Sequence, residues 1–109
     1  MTDYFKKAEL ALTYLGESEE EYARYKALAK YQPERLKAAL ALIENRSIES
    51  TQAGKEREAK ASDEYSDVLD ESQEITEQFI LLEAKRNRAE LTIEMYRSVN
   101  SALKRGNMT

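Results

Sequence analysis

The feature that most constrains this chain is an unbroken repeat in its second half. Between residues 65 and 103, the repeat positions are spaced alternately three and four residues apart, without a slip. The positions are Tyr65, Val68, Ser72, Ile75, Phe79, Leu82, Arg86, Ala89, Ile93, Tyr96, Asn100 and Leu103. This spacing is typical of the a and d positions of a coiled-coil heptad. The sequence therefore predicts one long helix over residues 56–104, a stretch that contains neither Pro nor Gly.

A helix of that length, roughly 70 Å at about 1.5 Å per residue, needs neighbours because most helix stability comes from packing. The first half of the chain predicts them. Apolar residues at helical spacing indicate a helix over residues 3–15, which Gly16 should end. A capping box that starts at Ser18 begins a second helix over residues 18–48. Pro33 should either kink this second helix or lie near the start of a separate third helix, and we favour the kink.

Residues 47–55 separate these helices from the long one. They hold a glycine and several small polar residues, which are typical of a chain reversal. The predicted fold is therefore all-α, with one domain over residues 1–109. Its architecture would be an elongated, coiled-coil-like helical hairpin with a tail at 105–109.

A second apolar stripe predicts that the hairpin self-associates. Leu91, Met95, Val99 and Ala102 lie outside the repeat, and a helix that is apolar on two sides needs two neighbours. A thin hairpin also buries little core. We therefore expect a homo-oligomer whose seam includes Tyr65, Val68, Ile75, Phe79, Leu82, Ile93, Tyr96 and Leu103.

Composition excludes several chemistries. The chain has no His and no Cys, which removes an imidazole base, a thiolate nucleophile, a zinc ribbon, an iron–sulfur cluster and a disulfide. Three isolated glycines cannot form a phosphate-binding loop. We expect a protein that is not an enzyme and has no cofactor or bound metal. No stretch approaches the roughly 18 apolar residues of a membrane span, and we expect a cytoplasmic protein without a signal peptide.

An acidic block lies in the middle of the chain. Residues 56–80 carry 9 acidic and 2 basic side chains, although the net charge of the whole chain is only −4. A helix would align the carboxylates of Asp63, Asp67, Asp70, Glu74 and Glu77 along one side. Regular carboxylates on a stiff helix can occupy a site built for phosphates, as a DNA mimic does. They can also hold Mg²⁺ as a carboxylate hydrolase does, or form a solvated face.

The end of the chain is basic. Residues 81–109 carry 6 basic and 3 acidic side chains. The candidate contacts for nucleic acid or a protein partner are Arg86, Arg88, Arg97, Lys104 and Arg105. Arginine beside an aromatic ring can hold single-stranded DNA, but Tyr96 occupies a d position, where core burial is expected. Arg86 occupies an a position, where a polar residue fixes register or oligomer state. It could instead pair with an acidic residue of a neighbouring helix, and Glu83 and Glu90 are near it in sequence.

Several segments resemble a group of short helical proteins encoded by tailed bacteriophages. They are residues 56–65 (EREAKASDEY), 81–91 (LLEAKRNRAEL), 93–100 (IEMYRSVN) and 104–107 (KRGN), within a resemblance that covers about residues 50–107. Such proteins tend to be encoded among early genes, beside single-strand-binding and recombination functions. The resemblance implies this setting and the host cytoplasm, but it assigns no role to any residue.

These observations leave three functional hypotheses. The first is a non-enzymatic phage accessory protein for DNA recombination or replication, with a protein partner, single-stranded DNA contacts and no membrane association. The second is an inhibitor of a host nuclease or defence complex that uses the acidic face as a DNA mimic. The third, and weakest, is a carboxylate–Mg²⁺ hydrolase.

Overall fold

The computed structural model describes residues 2–107, which are 90% helical and contain no strand. The all-α prediction is therefore confirmed. Five helices follow one another along the chain: α1 (Thr2–Glu17), α2 (Glu19–Lys30), α3 (Gln32–Asn45), α4 (Gln52–Lys60) and α5 (Asp63–Asn107). The described helices include none that is long and apolar enough to cross a membrane.

The helices form two compact units. The terminal unit consists of Met1–Ala23 and Ile80–Thr109, and the middle unit consists of Arg24–Phe79. The terminal unit thus holds α1, the start of α2 and the C-terminal part of α5. The middle unit holds the rest of α2, all of α3 and α4, and the first part of α5.

The first break in the helices lies at Ser18, so the predicted helix end at residue 15 is wrong. Gly16 lies inside α1 and has no positive φ, which means that its conformational freedom is not used. The Ser18 hydroxyl donates to the carbonyl of Tyr14 at 2.7 Å and accepts from the guanidinium of Arg86 at 2.7 Å. The helical backbone bonds of Ser18 itself remain, from its N–H to Tyr14 and from the N–H of Tyr22 to its carbonyl, both at 2.9 Å. The Arg86 guanidinium inserts beside them and donates to the Leu15 carbonyl at 2.8 Å, and an inserted side chain is a known cause of a helix break.

The second break lies at Tyr31, so the favoured single kinked helix over residues 18–48 is wrong, and the alternative of two helices with Pro33 near the start of the second is correct. Pro33 lies in the first turn of α3, where its missing N–H would have had no acceptor within the helix. The side-chain amide of Gln32 donates to the carbonyl of Leu28 at 2.8 Å, near the end of α2. Proline therefore starts a helix here instead of bending one.

The third break separates α4 from α5, so one continuous helix over residues 56–104 is also wrong. Ser62 produces the break, since its hydroxyl accepts from the N–H of Tyr65 at 3.1 Å and donates to the carbonyl of Ala59 at 2.6 Å. The connection is shorter than the predicted 47–55, because Thr51 caps α4 by accepting from the N–H of Gly54 at 3.0 Å. The predicted tail begins too early, since α5 extends to Asn107.

In the middle unit, α3 and the first part of α5 lie antiparallel. Arg35 near the start of α3 forms an ion pair with Glu71, whereas Arg46 beyond its end pairs with Glu64 at 2.6 Å. Ala59 of α4 is the most buried side chain of this unit, at 1% exposure. The predicted seam residues of this unit are half-buried within the single chain: Tyr65, Val68, Ile75 and Phe79.

In the terminal unit, α1 lies antiparallel to the C-terminal part of α5. Phe5 near the start of α1 packs edge-to-face on Tyr96, with ring centroids 5.8 Å apart, and the end of α1 meets Arg86. The buried positions of the pair carry mostly small side chains, which let two helices approach closely. They are Ala8, Ala11, Leu82 and Ala89.

The predicted seam is covered in this unit too, except at its end. Leu82 is buried, Ile93 and Tyr96 are half-buried, and Leu103 is exposed. The chain's own helices already cover most of the seam, and its use between copies stays a prediction. The second stripe is more open, because Leu91 and Met95 are exposed.

Candidate nucleic-acid and partner interface

Arg86 differs from the other predicted contact residues because its guanidinium is used inside the terminal unit. Its Nη1 donates to the Leu15 carbonyl at 2.8 Å and to the Ser18 hydroxyl at 2.7 Å. The guanidinium carbon lies 4.8 Å from the centroid of the Tyr22 ring, and the Tyr22 hydroxyl donates to Glu83 at 3.3 Å. Nη1 and one face of the Arg86 guanidinium are therefore already engaged inside the unit.

The position of Arg86 has a clear electrostatic reason. The carbonyls in the last turn of a helix lack donors within that helix and carry partial negative charge. Arg86 places a cation against one of them, on Leu15, at the end of α1. Glu83, which the sequence offered as a partner for Arg86, instead accepts a hydrogen bond from Tyr22.

The remaining predicted basic residues, Arg88, Arg97, Lys104 and Arg105, are all exposed. Arg88 lies beside Lys85 of α5 and Lys7 of α1 at the rim of one groove, which we call the basic groove. Its floor is mainly apolar: Leu10, Ala11, Tyr14, Ala89 and Thr92. Lys7 was missed because nothing in its local sequence marks it, and only the pairing of α1 with α5 brings it to Arg88.

The basic groove contains one polar atom without a partner. The hydroxyl oxygen of Tyr14 is buried and makes no hydrogen bond to any residue that the structure describes. Leaving such a group unpaired costs on the order of 1–3 kcal/mol.

A second polar groove lies on α5 nearer its end. It is lined by Arg97, Ser98, Ser101 and Arg105. Arg97, Ser101 and Arg105 are four residues apart and so lie on one face of the helix. Guanidinium and hydroxyl groups are the side chains that most often contact phosphates, and this face is therefore chemically suited to a nucleic-acid backbone.

The side of the α1/α5 pair opposite the basic groove carries a third groove, which we call the apolar groove. Its lining consists of Phe5, Ala8, Glu9, Leu12, Ile93, Tyr96 and Arg97. Tyr96 is half-buried here against Phe5. This agrees with the burial expected from its d position and leaves it poorly placed to stack on a base.

The predicted acidic face lies entirely in the middle unit, and all five of its carboxylates are exposed: Asp63, Asp67, Asp70, Glu74 and Glu77. Glu77 accepts a hydrogen bond from Gln73 at 3.2 Å. The ion pairs of this segment involve Glu64 and Glu71, not the predicted five. The hydrolase hypothesis requires a cluster of carboxylates that can hold a metal ion. Among residues 2–107, no three acidic side chains are arranged in this way.

Comparison with known proteins adds no relative to this picture. No protein-family model, no curated protein and no solved structure matches the chain.

Proposed function

We propose that this chain is a non-enzymatic accessory protein of phage DNA recombination or replication. It acts in the host cytoplasm as a homo-oligomer, holds a protein partner and contacts single-stranded DNA through the basic side of its terminal unit. The observation that carries the proposal is the basic groove, in which Lys7, Lys85 and Arg88 surround an apolar floor. The phage setting rests on the sequence resemblance alone.

The charges of the groove support an anionic occupant. Lys7, Lys85 and Arg88 are exposed, and none of them forms an ion pair with another described residue. An anionic strand therefore meets cations that are not already neutralised. Arg97 and Arg105 add further positive charge on a different face of α5, in the second polar groove. Phosphate contacts by such side chains give affinity without sequence preference.

The chain as a whole carries a net charge of −4. Binding to DNA should therefore depend on these local cations and should be weak at physiological salt. The acidic side chains of residues 56–80 lie in the other unit. We expect measurable binding at low salt and a steep loss as salt rises.

The test uses a fluorescein-labelled oligo(dT) of about 20 nucleotides, a length above the site size of common single-strand-binding folds. Fluorescence anisotropy gives its Kd for the wild type and for the double variant Lys85→Gln/Arg88→Gln. We expect the double variant to bind roughly tenfold more weakly, since each partly exposed charge contact contributes up to about 1 kcal/mol.

The control is Arg57→Gln, which removes an exposed arginine from α4 in the middle unit. It should bind the oligonucleotide as the wild type does. Equal loss in the double variant and in Arg57→Gln would show that net charge, not the basic groove, sets the affinity. No binding even at low salt would remove DNA from the proposal.

A second candidate function is a DNA mimic that inhibits a host nuclease or defence complex. Residues 63–77 hold seven acidic side chains and no basic one. At about 1.5 Å per residue this is roughly one charge per 3 Å of helix, close to the about 3.4 Å per phosphate of a DNA strand. Arg46 and Arg35 neutralise two of the seven, which weakens the match.

Charge reversal separates the two functions. Under the mimic hypothesis, Asp67→Lys/Glu74→Lys abolishes inhibition of the target, whereas Arg97→Glu/Lys104→Glu leaves it unchanged. Under the accessory hypothesis, the second pair of changes weakens binding of the oligonucleotide and the first pair does not.

A further inference from the structure

We propose that the apolar groove of the terminal unit is the contact surface for a second copy of this chain. In this arrangement, α1 and the C-terminal part of α5 of one copy pack on the same helices of the other around a twofold axis. The inference rests on the homo-oligomer of the proposed function and concerns the side of the α1/α5 pair opposite the basic groove; it shares Arg97 with the second polar groove but none of the residues of the basic groove.

The first observation is the exposure of large side chains beside a core of alanines. Phe5 is 50% exposed and Leu12 is 64% exposed, although both line a groove whose floor contains the buried Ala8. Alanines bring α1 and α5 close together but cannot cover the larger residues at their edges. Two helices alone leave such edges in water, whereas a four-helix layer covers them.

The second observation is the charge of the groove, which identifies the occupant. Its only charged lining residues are Glu9 on α1 and Arg97 on α5, which have opposite signs and lie on different helices. A twofold contact is isologous, so that each residue meets the same surface of the other copy. Glu9 of each copy can then face Arg97 of the other.

Within one chain, Glu9 and Arg97 are not joined in an ion pair. Both are exposed at the edges of the groove and are therefore available to a neighbour. A polar rim around an apolar centre is also the usual anatomy of a protein interface.

The basic groove does not share this property. Its charged residues, Lys7, Lys85 and Arg88, are all positive, so two copies would repel each other there. The apolar groove, with one acidic and one basic lining residue, has no net charge that would attract a strongly charged partner. A second copy is the occupant that satisfies both the apolar floor and the paired charges.

The experiment is analytical ultracentrifugation of the full chain, without nucleic acid, over a range of protein concentrations. We expect a monomer–dimer equilibrium for the wild type. Leu12→Gln should raise the dimer Kd by at least tenfold, because the side chain occurs twice in a twofold interface. Leu10→Gln is the matched control, since Leu10 is also 64% exposed but lies on the opposite side of the helix pair. It should leave the Kd unchanged.

A charge swap tests the register of the contact. Glu9→Arg and Arg97→Glu each place like charges together and should each weaken the dimer by about tenfold. The double variant Glu9→Arg/Arg97→Glu restores opposite charges and should recover wild-type association. Circular dichroism of every variant establishes that the helices are retained.

Four results would overturn the inference. The first is a wild-type monomer at all concentrations, and the second is an equal effect of Leu10→Gln and Leu12→Gln. The third is an additive loss, without recovery, in the double charge variant. The fourth is a dimer that the Leu12 and charge variants leave intact, because its interface would then lie elsewhere.

Discussion

Replacing Arg86 by Met tests how the terminal unit is held together. The methionine keeps a flexible stem of similar length in the a position of the repeat and removes the charge and all donors. Two hydrogen bonds from the guanidinium are lost, to the Leu15 carbonyl and to the Ser18 hydroxyl. The stacking of the guanidinium on the Tyr22 ring is lost with them.

The size of the effect follows from these contacts. Hydrogen bonds that involve a charged group contribute about 1.5–3 kcal/mol each, and a cation–π contact about 0.5–1 kcal/mol at an exposed site. Arg86 is only half-buried, so that water replaces part of what the substitution removes. We therefore expect the free energy of unfolding to fall by about 2–4 kcal/mol, which is a large share of the about 5–15 kcal/mol typical of small domains.

Urea denaturation followed by circular dichroism measures this change. With an m value of about 1–3 kcal/mol per molar urea, the midpoint should fall by roughly 1–2 M. Arg86→Lys keeps the positive charge and can still donate to one of the two acceptors. We therefore expect about half of the fall in the free energy of unfolding. Arg88→Met is the control, because Arg88 is exposed and substitutions at such positions usually change stability by less than about 0.5 kcal/mol. If Arg86→Met were no more destabilising than Arg88→Met, the inserted guanidinium would not hold the break between α1 and α2.

Two further changes test the middle unit. Ser62→Ala removes the hydroxyl that accepts from the N–H of Tyr65, and we expect thermal unfolding to show a loss of about 0.5–2 kcal/mol, as for other lost helix caps. Ala59→Leu inserts a larger side chain at a position that is only 1% exposed, and urea denaturation should show a loss of about 1–3 kcal/mol from overpacking. A neutral result for either change would mean that the contacts around α4 do not stabilise the unit.

The repeat predicted the packed face of α5 well because its period is set by geometry alone. A side chain at a or d turns toward the neighbouring helices whatever its chemistry, and Arg86 and Asn100 are half-buried as the pattern requires. The pattern could not say what a polar side chain does once it is buried. The acceptors of Arg86 lie about 70 residues away in the sequence, on Leu15 and Ser18.

The helix breaks were harder to predict because they depend on competition between local hydrogen bonds and the helix. Gly16 and Pro33 are strong breaking signals, yet the structure keeps Gly16 inside α1 and uses Pro33 to start α3. Ser62, followed by two acidic residues, was a capping signal inside the predicted long helix. The regular repeat that begins at Tyr65 favoured a continuous helix, so this signal did not enter the prediction.

The candidate sites show the same limit. The exposed positions of Arg88, Arg97, Lys104 and Arg105 follow from their places outside the repeat, and this part was predictable. The contribution of Lys7 to the basic groove was not, because it depends on how α1 lies along α5.

The most direct test of the central claim, that the basic groove binds a DNA strand, is the salt dependence of oligo(dT) affinity. Three cations that each neutralise a phosphate predict a slope of about −2 in a plot of log K against log salt concentration, at about −0.7 per contact for a single strand. The triple variant Lys7→Gln/Lys85→Gln/Arg88→Gln should reduce that slope to near zero. A wild-type slope near zero, or one that the triple variant leaves unchanged, would contradict the claim.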